Sequence, residues 1–254
     1  YRWFKRVERA QYAVADVIGV QTPANAPIVR RDSPRDSTIE VLNNWLAPPT
    51  AGESAIDLST GPLAGRTVFA YTGNMGAAQG MDCLVDLAQQ LRERDDIGFL
   101  FVGRGSEVPR LRERVARAGL DNVVFIDEID ADQIPGLLAQ CHVGMIALDP
   151  RHSTHNIPGK LLTYLHAGLP VLARINAEND LEGVIRDERI GLVVAGDDQA
   201  QLLANAITLA GDPGLRSDMA AKGRELALRM FSPSAAVRQV VDGLRSAHRE
   251  RKLR

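Results

Sequence analysis

The sequence predicts an α/β fold built on a doubly wound parallel sheet of six strands, and two observations support this prediction. Six short runs are apolar throughout, which is typical of strands buried on both faces. Stretches with helical spacing of apolar side chains alternate with these runs, as in a Rossmann-like domain. The strand-like runs are residues 67–71, 98–102, 123–127, 143–147, 170–173 and 192–194, and the helical stretches are 81–94, 108–118, 132–139, 160–167, 180–186 and 199–210.

The residues before this alternation indicate a remnant of another domain. Residues 1–15 have helical spacing, short strand-like runs follow at 16–20 and 39–42, and Thr22-Pro23 indicates a helix start between them. The chain has no initiator Met and begins directly in a helical pattern, so we expect it to be the middle of a longer protein. We therefore assign residues 1–44 to the remnant of an N-terminal domain.

Three further segments follow. Residues 45–64 are rich in Pro, Gly, Ser and Thr and are interpreted as a linker, in which Trp45 is expected to pack at the hinge. Residues 65–230 form the predicted Rossmann-like domain, preceding a C-terminal helix over 231–254 that returns toward the N-terminal domain.

The composition excludes several classes of function. A formal net charge of −2 gives no electrostatic basis for nucleic-acid binding. Cys83 and Cys141 lack metal-ligand spacing, which favours two reduced, buried thiols over a disulfide or a zinc site. No apolar run approaches the length of a membrane span and nothing resembles a signal peptide, so a cytoplasmic protein is expected.

Ligands of such a sheet bind beyond the carboxyl ends of its strands, so the loops there are the candidates for function. The first loop, 72–80, contains three glycines before a helix, and bare backbone amides at such a place suit a phosphate. Its spacing is not GxGxxG, and the second loop, 103–107, lacks the acid that a dinucleotide ribose requires at that strand end. A nicotinamide-dependent enzyme is therefore disfavoured, and a tight turn without a ligand remains an alternative for the first loop.

The region after the fourth strand is the most informative. It contains Pro158-Gly159 opening a helix and Lys160 in the first turn, where a bare helix end favours an acid. A cation beside free amides is explained if an anion such as a diphosphate binds there. Among the other histidines, His142 and His166 are interpreted as structural, and Asp149 as a cap of its own loop.

The sequence resembles a known family at several ordered places. The segment 167–171, Ala-Gly-Leu-Pro-Val, resembles the end of the donor-site helix in retaining GT-B glycosyltransferases of family 4. Segments 16–20 and 41–45 resemble that family's crossing between its two domains, and 71–76 and 101–105 resemble its first two donor-domain loops. The resemblance runs over nearly the whole chain and implies the C-terminal, donor-binding half of such an enzyme.

The resemblance implies a role for each loop in binding a nucleotide sugar. The first loop is expected to face the diphosphate, the second to lie near the nucleoside, and the residues after the third strand to offer backbone groups to the base. The segment opening the later helix is expected to hold diphosphate and sugar, with Lys160 as the main cation. The implied binding residues are Gly73, Asn74, Met75, Gly76, Gln79, Gly103, Arg104, Glu128, Ile129, His155, Asn156, Ile157, Pro158, Gly159, Lys160, Leu161 and Thr163.

One departure from the family concerns two positions. The family carries two glutamates eight positions apart around this helix, where this chain has His155 and Thr163. A threonine can bond only one of the ribose hydroxyls that a glutamate grips, and a histidine cannot act as a carboxylate. A subgroup of bacterial transferases, the WbuB-like enzymes linked to N-acetylfucosamine transfer, is similar in the segments 158–173 and 179–181. This similarity implies a UDP-linked 6-deoxy N-acetylamino sugar as donor.

The resemblance therefore implies a retaining hexosyltransferase that acts without a metal or other cofactor. Its acceptor would be a glycan or lipid-linked glycan in bacterial surface polysaccharide synthesis, such as lipopolysaccharide O-antigen, with peripheral association of the full-length protein at the inner face of the cell membrane. Catalytic residues are expected mostly on the N-terminal domain, so this chain alone is expected to bind donor and transfer nothing. Two alternatives stay open: a UDP-sugar 2-epimerase-like enzyme and a non-catalytic nucleotide-binding module.

Overall fold

The computed structural model describes residues 2–33, 37–50, 52–151 and 156–253. Within them the chain alternates strands and helices as predicted. The strands are β1 Val17–Val20, β2 Thr38–Val41, β3 Thr67–Thr72, β4 Ile97–Val102, β5 Val123–Ile126, β6 Val143–Ala147, β7 Val171–Ile175 and β8 Gly191–Ala195. The α-helices are α1 Arg2–Val14, α2 Asn25–Asp32, α3 Asp82–Gln90, α4 Val108–Arg117, α5 Ile134–Leu138, α6 Gly159–Ala167, α7 Asp180–Asp187, α8 Gln199–Gly211, α9 Pro213–Met230 and α10 Pro233–Leu253.

Six strands form one parallel sheet in the order β5-β4-β3-β6-β7-β8, which confirms the predicted doubly wound architecture. The chain builds outward from β3 in one direction and then returns to build outward from β6 in the other. The strand order therefore reverses between β3 and β6, and a crevice at such a switch point is the usual ligand site of this class of sheet.

Both faces of this sheet are covered, as the uninterrupted apolar runs predicted. Along β3, Val68 and Ala70 belong to the apolar core on one face, together with Tyr164 of α6. Phe69 and Tyr71 belong to the core on the other face, against α3 and α8. This alternation follows from the two-residue period of a strand, and it directs Tyr71, the penultimate residue of β3, away from the core that contains Tyr164.

Two predicted helices are shorter than expected. The helix expected over 81–94 ends at Gln90, and the following residues turn so that Arg94 pairs with Asp96, with 2.7 Å between Nε and Oδ1. The helix expected over 132–139 is reduced to Ile134–Leu138. Pro135 lies in its first turn, because proline lacks the amide hydrogen that a position further along the helix would need to donate.

The N-terminal residues form a second, small sheet in which β1 and β2 pair in parallel. The amide of Leu46 donates to the carbonyl of Phe231 at 2.9 Å, which fixes the start of the segment joining this sheet to the larger one. Trp45 is 54% exposed, so the interpretation of its side chain as a packed hinge residue is wrong. The two cysteines are free and buried, as expected.

No helix among the described residues has both the length and the apolar character needed to cross a membrane.

Candidate functional site

A tyrosine from α6 lies at the place where β3 and β6 separate. The two strands pair only at Phe69–Val143 and Ala70–Gly144, and then separate. Tyr164 fills the gap: its ring crosses Gly144, where a Cβ would lie 2.4 Å from the ring Cγ. Its hydroxyl accepts the amide hydrogen of Thr72 at 2.9 Å. The tyrosine thus satisfies a buried strand amide that has lost its neighbouring strand.

A second tyrosine connects the glycine loop to the opening of α6. Tyr71 is fully buried, and its hydroxyl donates to the carbonyl of Asn74 at 2.7 Å. The ammonium of Lys160 lies over its ring, 3.5 Å from the ring centroid. The loop after β3 and the N-terminus of α6 therefore meet at one side chain.

The ammonium of Lys160 is held in a poorly solvated place. Desolvation lowers the pKa of Lys160 to about 7. No carboxylate among the described residues pairs with it, and the ring of Tyr71 is the partner that the structure gives it. Beside it, a Cβ built on Gly159 would meet no atom within 4 Å. The N-terminus of α6 thus places this amine next to open space, where an adjacent anion would favour its ammonium form.

The glycines of the first two loops allow their backbones to approach closely. The amide of Gly73 donates to Val102 at 2.9 Å, and the amide of Met75 donates to Arg104 at 2.8 Å. A Cβ on Gly103 would lie 2.2 Å from the carbonyl oxygen of Gly73, and Gly103 has a φ of +134°. The contact between the loops therefore requires glycine at Gly103, whereas Gly73 has free space around its Cβ position and is favoured by its φ of +115°.

The first loop differs from the sequence interpretation in what its amides do. Gln79 closes a short 3-10 turn by accepting hydrogen bonds from the amide of Gly76, at 2.9 Å, and from Nδ2 of Asn74, at 3.1 Å. The amides of Gly73, Met75 and Gly76 consequently donate within the protein, and are not the bare donors that the glycine pattern indicated. The exposed residues of the loop are Gly73, Asn74, Ala77 and Ala78.

Several predicted binding residues contribute to the core instead of facing the crevice. The side chains of Met75 and Leu161 are fully buried, and that of Ile157 is 4% exposed. Their side chains position the loop and the helix opening, so any contact with a ligand would come from their backbones. His155 lies outside the described residues, and Asn156 is exposed just after that gap.

Arg104 and Glu128 form an ion pair with each other at the ends of β4 and β5. Their side chains are 3.3 Å apart, 80% and 56% exposed respectively, so the pair lies on the open rim of the sheet. Ile129, beside Glu128, packs partly against the apolar core. The structure thus groups the residues that were expected to lie near the nucleoside, but Arg104 is neutralised by a neighbour.

Thr163 faces a different space from Lys160, although both lie on α6. It lines a mainly apolar cavity of about 470 Å³ between α5, α6 and the linker, with Ala131 and His166. Nε2 of His166 lies 3.2 Å from the carbonyl oxygen of Leu46. His142 accepts a hydrogen bond at Nδ1 from the amide of Val68, at 3.0 Å, which confirms its structural role.

The loop after β6 closes over the glycine loop. The amide of Asp149 donates to the carbonyl of Ala78 at 2.9 Å, and its carboxylate accepts from the amide of Arg151 at 2.9 Å. The carboxylate also pairs with the guanidinium of Arg151, at 2.6 Å. The expected loop cap is confirmed.

Sequence reasoning missed four residues that build the site: Tyr71, Thr72, Tyr164 and Asn44, whose Nδ2 donates to the carbonyl of Ile157 at 3.0 Å. One signal was available for Tyr71. A tyrosine at the carboxyl end of a buried strand needs a partner for its hydroxyl, and the adjacent loop is the nearest source of one.

The six-stranded parallel sheet, with its reversal of strand order, matches the GT-B fold of the solved structures below. Residues 66–212, more than half of the chain, match the family described as glycosyl transferases group 1. The chain belongs to that family.

Curated relatives support this assignment. The chain is 24% identical over 233 residues to a putative colanic acid biosynthesis glycosyl transferase, WcaI, of Escherichia coli (strain K12), covering 88% of this chain and 50% of the relative. It is 28% identical over 192 residues to the phosphatidyl-myo-inositol mannosyltransferase of Mycobacterium leprae (strain TN), covering 74% and 48% respectively. The chain thus spans about half the length of the curated relatives that it matches.

Solved structures share the fold. The Anabaena protein HepE, in complex with UDP and glucose, superposes with a TM-score of 0.77 at 18% identity, covering 97% of this chain and 68% of that one. TarM of S. aureus, in complex with fondaparinux, alpha-GlcNAc-glycerol and UDP, superposes with a TM-score of 0.75 at 12% identity, covering 96% and 46%.

Proposed function

We propose that the chain is the donor-binding half of a glycosyltransferase that takes a sugar from a UDP-linked donor. The observation that supports this most directly is Lys160, a desolvated ammonium without a carboxylate partner among the described residues, at a helix opening beside the glycine loop. Such a cation is stabilised when an anion binds next to it, and a helix N-terminus adds a favourable dipole.

The chemistry follows from the charge that develops during glycosyl transfer. When the bond between sugar and diphosphate breaks, negative charge accumulates on the leaving diphosphate. Lys160 and the N-terminal amides of α6 would stabilise this charge where it forms, which is the role that a metal ion fills in other sites. Transfer without a metal and with retention of configuration, as the family resemblance implies, is part of the proposal.

The acceptor is proposed from the relatives alone. Those relatives are named for colanic acid biosynthesis and for mannosyl transfer to phosphatidyl-myo-inositol, which supports a glycan or lipid-linked glycan acceptor at the bacterial surface. A 6-deoxy N-acetylamino sugar remains the proposed donor sugar on the WbuB-like similarity. Because the chain spans half of its relatives, we expect it to bind donor and to transfer nothing by itself.

Isothermal titration with UDP tests the donor site. Replacing Lys160 by alanine removes a charged contact, and we expect the dissociation constant to rise about 10- to 100-fold. Lys222→Ala is the matched control, since Lys222 is paired with Asp218 one turn away on α9. Equal binding of UDP by the wild type and by Lys160→Ala would contradict the role given to Lys160.

A non-catalytic module that has lost its donor site is the second candidate. It is favoured by Thr163 at the position of a family glutamate and by the loop amides of Gly73 and Met75, which already donate within the protein. Thermal unfolding in the presence of several nucleoside diphosphates separates the two candidates. A chain that has lost its donor site would show no rise in unfolding temperature with any of them, whereas binding stabilises by mass action.

A further inference from the structure

Tyr71 contacts both the glycine loop and the start of α6. It is the penultimate residue of β3, its side chain is fully buried, and both ends of that side chain are used. The hydroxyl holds the carbonyl of Asn74 at 2.7 Å, and the ring face holds the ammonium of Lys160, with 3.5 Å between Nζ and the ring centroid.

We propose that Tyr71 is a positioning residue for the diphosphate of the donor: its ring seats the ammonium of Lys160, and its hydroxyl fixes the glycine loop on the opposite side of the same anion. The proposal rests on the proposed function, because it names what delivers the cation to the leaving group. Tyr71 itself has no exposed surface with which to touch a ligand.

The physical basis is the quadrupole of the aromatic ring. The negative face of a ring stabilises a cation, and more so where water is excluded. Without the ring of Tyr71, the ammonium of Lys160 would lose its described partner in a poorly solvated place that disfavours charge. The side chain of Lys160 would then adopt other rotamers. The cost would appear in diphosphate binding and not in binding of the nucleoside, which the family resemblance implies near the loop after β4.

The readout is therefore the preference of the chain for UDP over UMP, measured by titration with both nucleotides. Tyr71→Leu should reduce this preference roughly 3- to 30-fold, from the range of cation–π strengths. Tyr71→Phe keeps the ring and loses only the contact of the hydroxyl with the loop, so it should retain more of the preference than Tyr71→Leu. Phe69→Leu is the control: Phe69 is also fully buried on β3, on the same face, but stacks on Phe99.

A shape-preserving substitution covers the case in which Tyr71→Leu fails to fold. Replacing Tyr71 by a trifluorinated phenylalanine keeps the ring volume and removes most of its negative face, so the preference should fall relative to Tyr71→Phe. Tyr71→Phe loses the same hydroxyl, so this comparison isolates the ring face.

A double-mutant cycle shows whether Tyr71 acts through Lys160. In the background of Lys160→Ala, replacing phenylalanine at position 71 by its trifluorinated analogue should have no further effect on the preference for UDP, because the hydroxyl is absent from both. Additive effects, or an equal loss of preference in Phe69→Leu, would overturn the proposal while leaving the donor site intact. Failure of the wild type to bind UDP would instead overturn the proposed function itself, so the two failures are distinguishable.

Discussion

Donor binding should depend on pH through Lys160. The pKa of Lys160 is lowered by desolvation to about 7, whereas an adjacent diphosphate favours the ammonium and raises the pKa in the complex. Binding therefore takes up a proton above pH ~7, and affinity falls as pH rises. Below that pH the ammonium is already present and the affinity should be flat.

The magnitude follows from the fraction of Lys160 that is protonated before binding. With a pKa of about 7, roughly half is charged at pH ~7 and roughly a tenth at pH ~8. The dissociation constant should rise about fivefold over that interval and approach tenfold per pH unit above it, until the pKa of the complex is reached.

UDP-glucose is the ligand for this measurement, because its diphosphate is esterified at both ends and has no proton to lose in the range from pH ~6.5 to ~8.5. Calorimetry in two buffers with different ionisation enthalpies counts the protons taken up. We expect about half a proton per ligand at pH ~7 and about nine-tenths at pH ~8.

The reasoning has one clear refutation. Lys160→Ala should bind more weakly with a flat profile, because the titrating group is gone. If the wild-type profile is equally flat while Lys160→Ala still weakens binding, the cation acts but is not desolvated as the structure describes. If affinity rises with pH, the charge assignment is wrong.

The other predictions concern stability. Tyr164→Phe should lower the free energy of unfolding by about 1–3 kcal/mol, because the buried amide of Thr72 loses its acceptor; urea unfolding measures this. Gly103→Ala should destabilise by more than about 3 kcal/mol, since a Cβ there lies 2.2 Å from Gly73, whereas Gly119→Ala, which meets nothing within 4 Å, should cost about 1 kcal/mol. Arg104→Ala should change stability by less than about 0.5 kcal/mol in the same assay, because its ion pair with Glu128 is exposed.

The sheet could be predicted because its signal is local. A strand buried on both faces must be apolar throughout, and β3, β4 and β6 have this composition. The helix bounds were less predictable. The third helix ends before Leu91, and the fifth helix begins only at Ile134, with Pro135 in its first turn. Both bounds depend on the geometry of the adjoining loops. Composition alone does not specify that geometry.

The candidate site was only partly predictable, and the reason is the distance in sequence between its partners. Thr72 and Tyr164 are 92 positions apart, and nothing in either segment indicates that one tyrosine completes a strand in the other. The glycines of the first loop were noticed for the wrong reason. Gly73 and Gly80 are favoured there by their positive φ angles of +115° and +57°, and the close approach of the two loops requires glycine at Gly103 in the second loop.

The charges around the crevice indicate why Lys160 should matter more than its neighbours. Three cations belong to the described part of the predicted site and the loop that flanks it. Arg104 is paired with Glu128 and Arg151 with Asp149, so an arriving anion would compete with a carboxylate for either guanidinium. For Lys160 an arriving anion would compete only with the ring of Tyr71 among the described residues. With a pKa of about 7, Lys160 is partly neutral near pH ~7. A diphosphate that binds there would stabilise the ammonium form of Lys160, which desolvation disfavours. When the diphosphate leaves, Lys160 would release the proton and return to its partly neutral state.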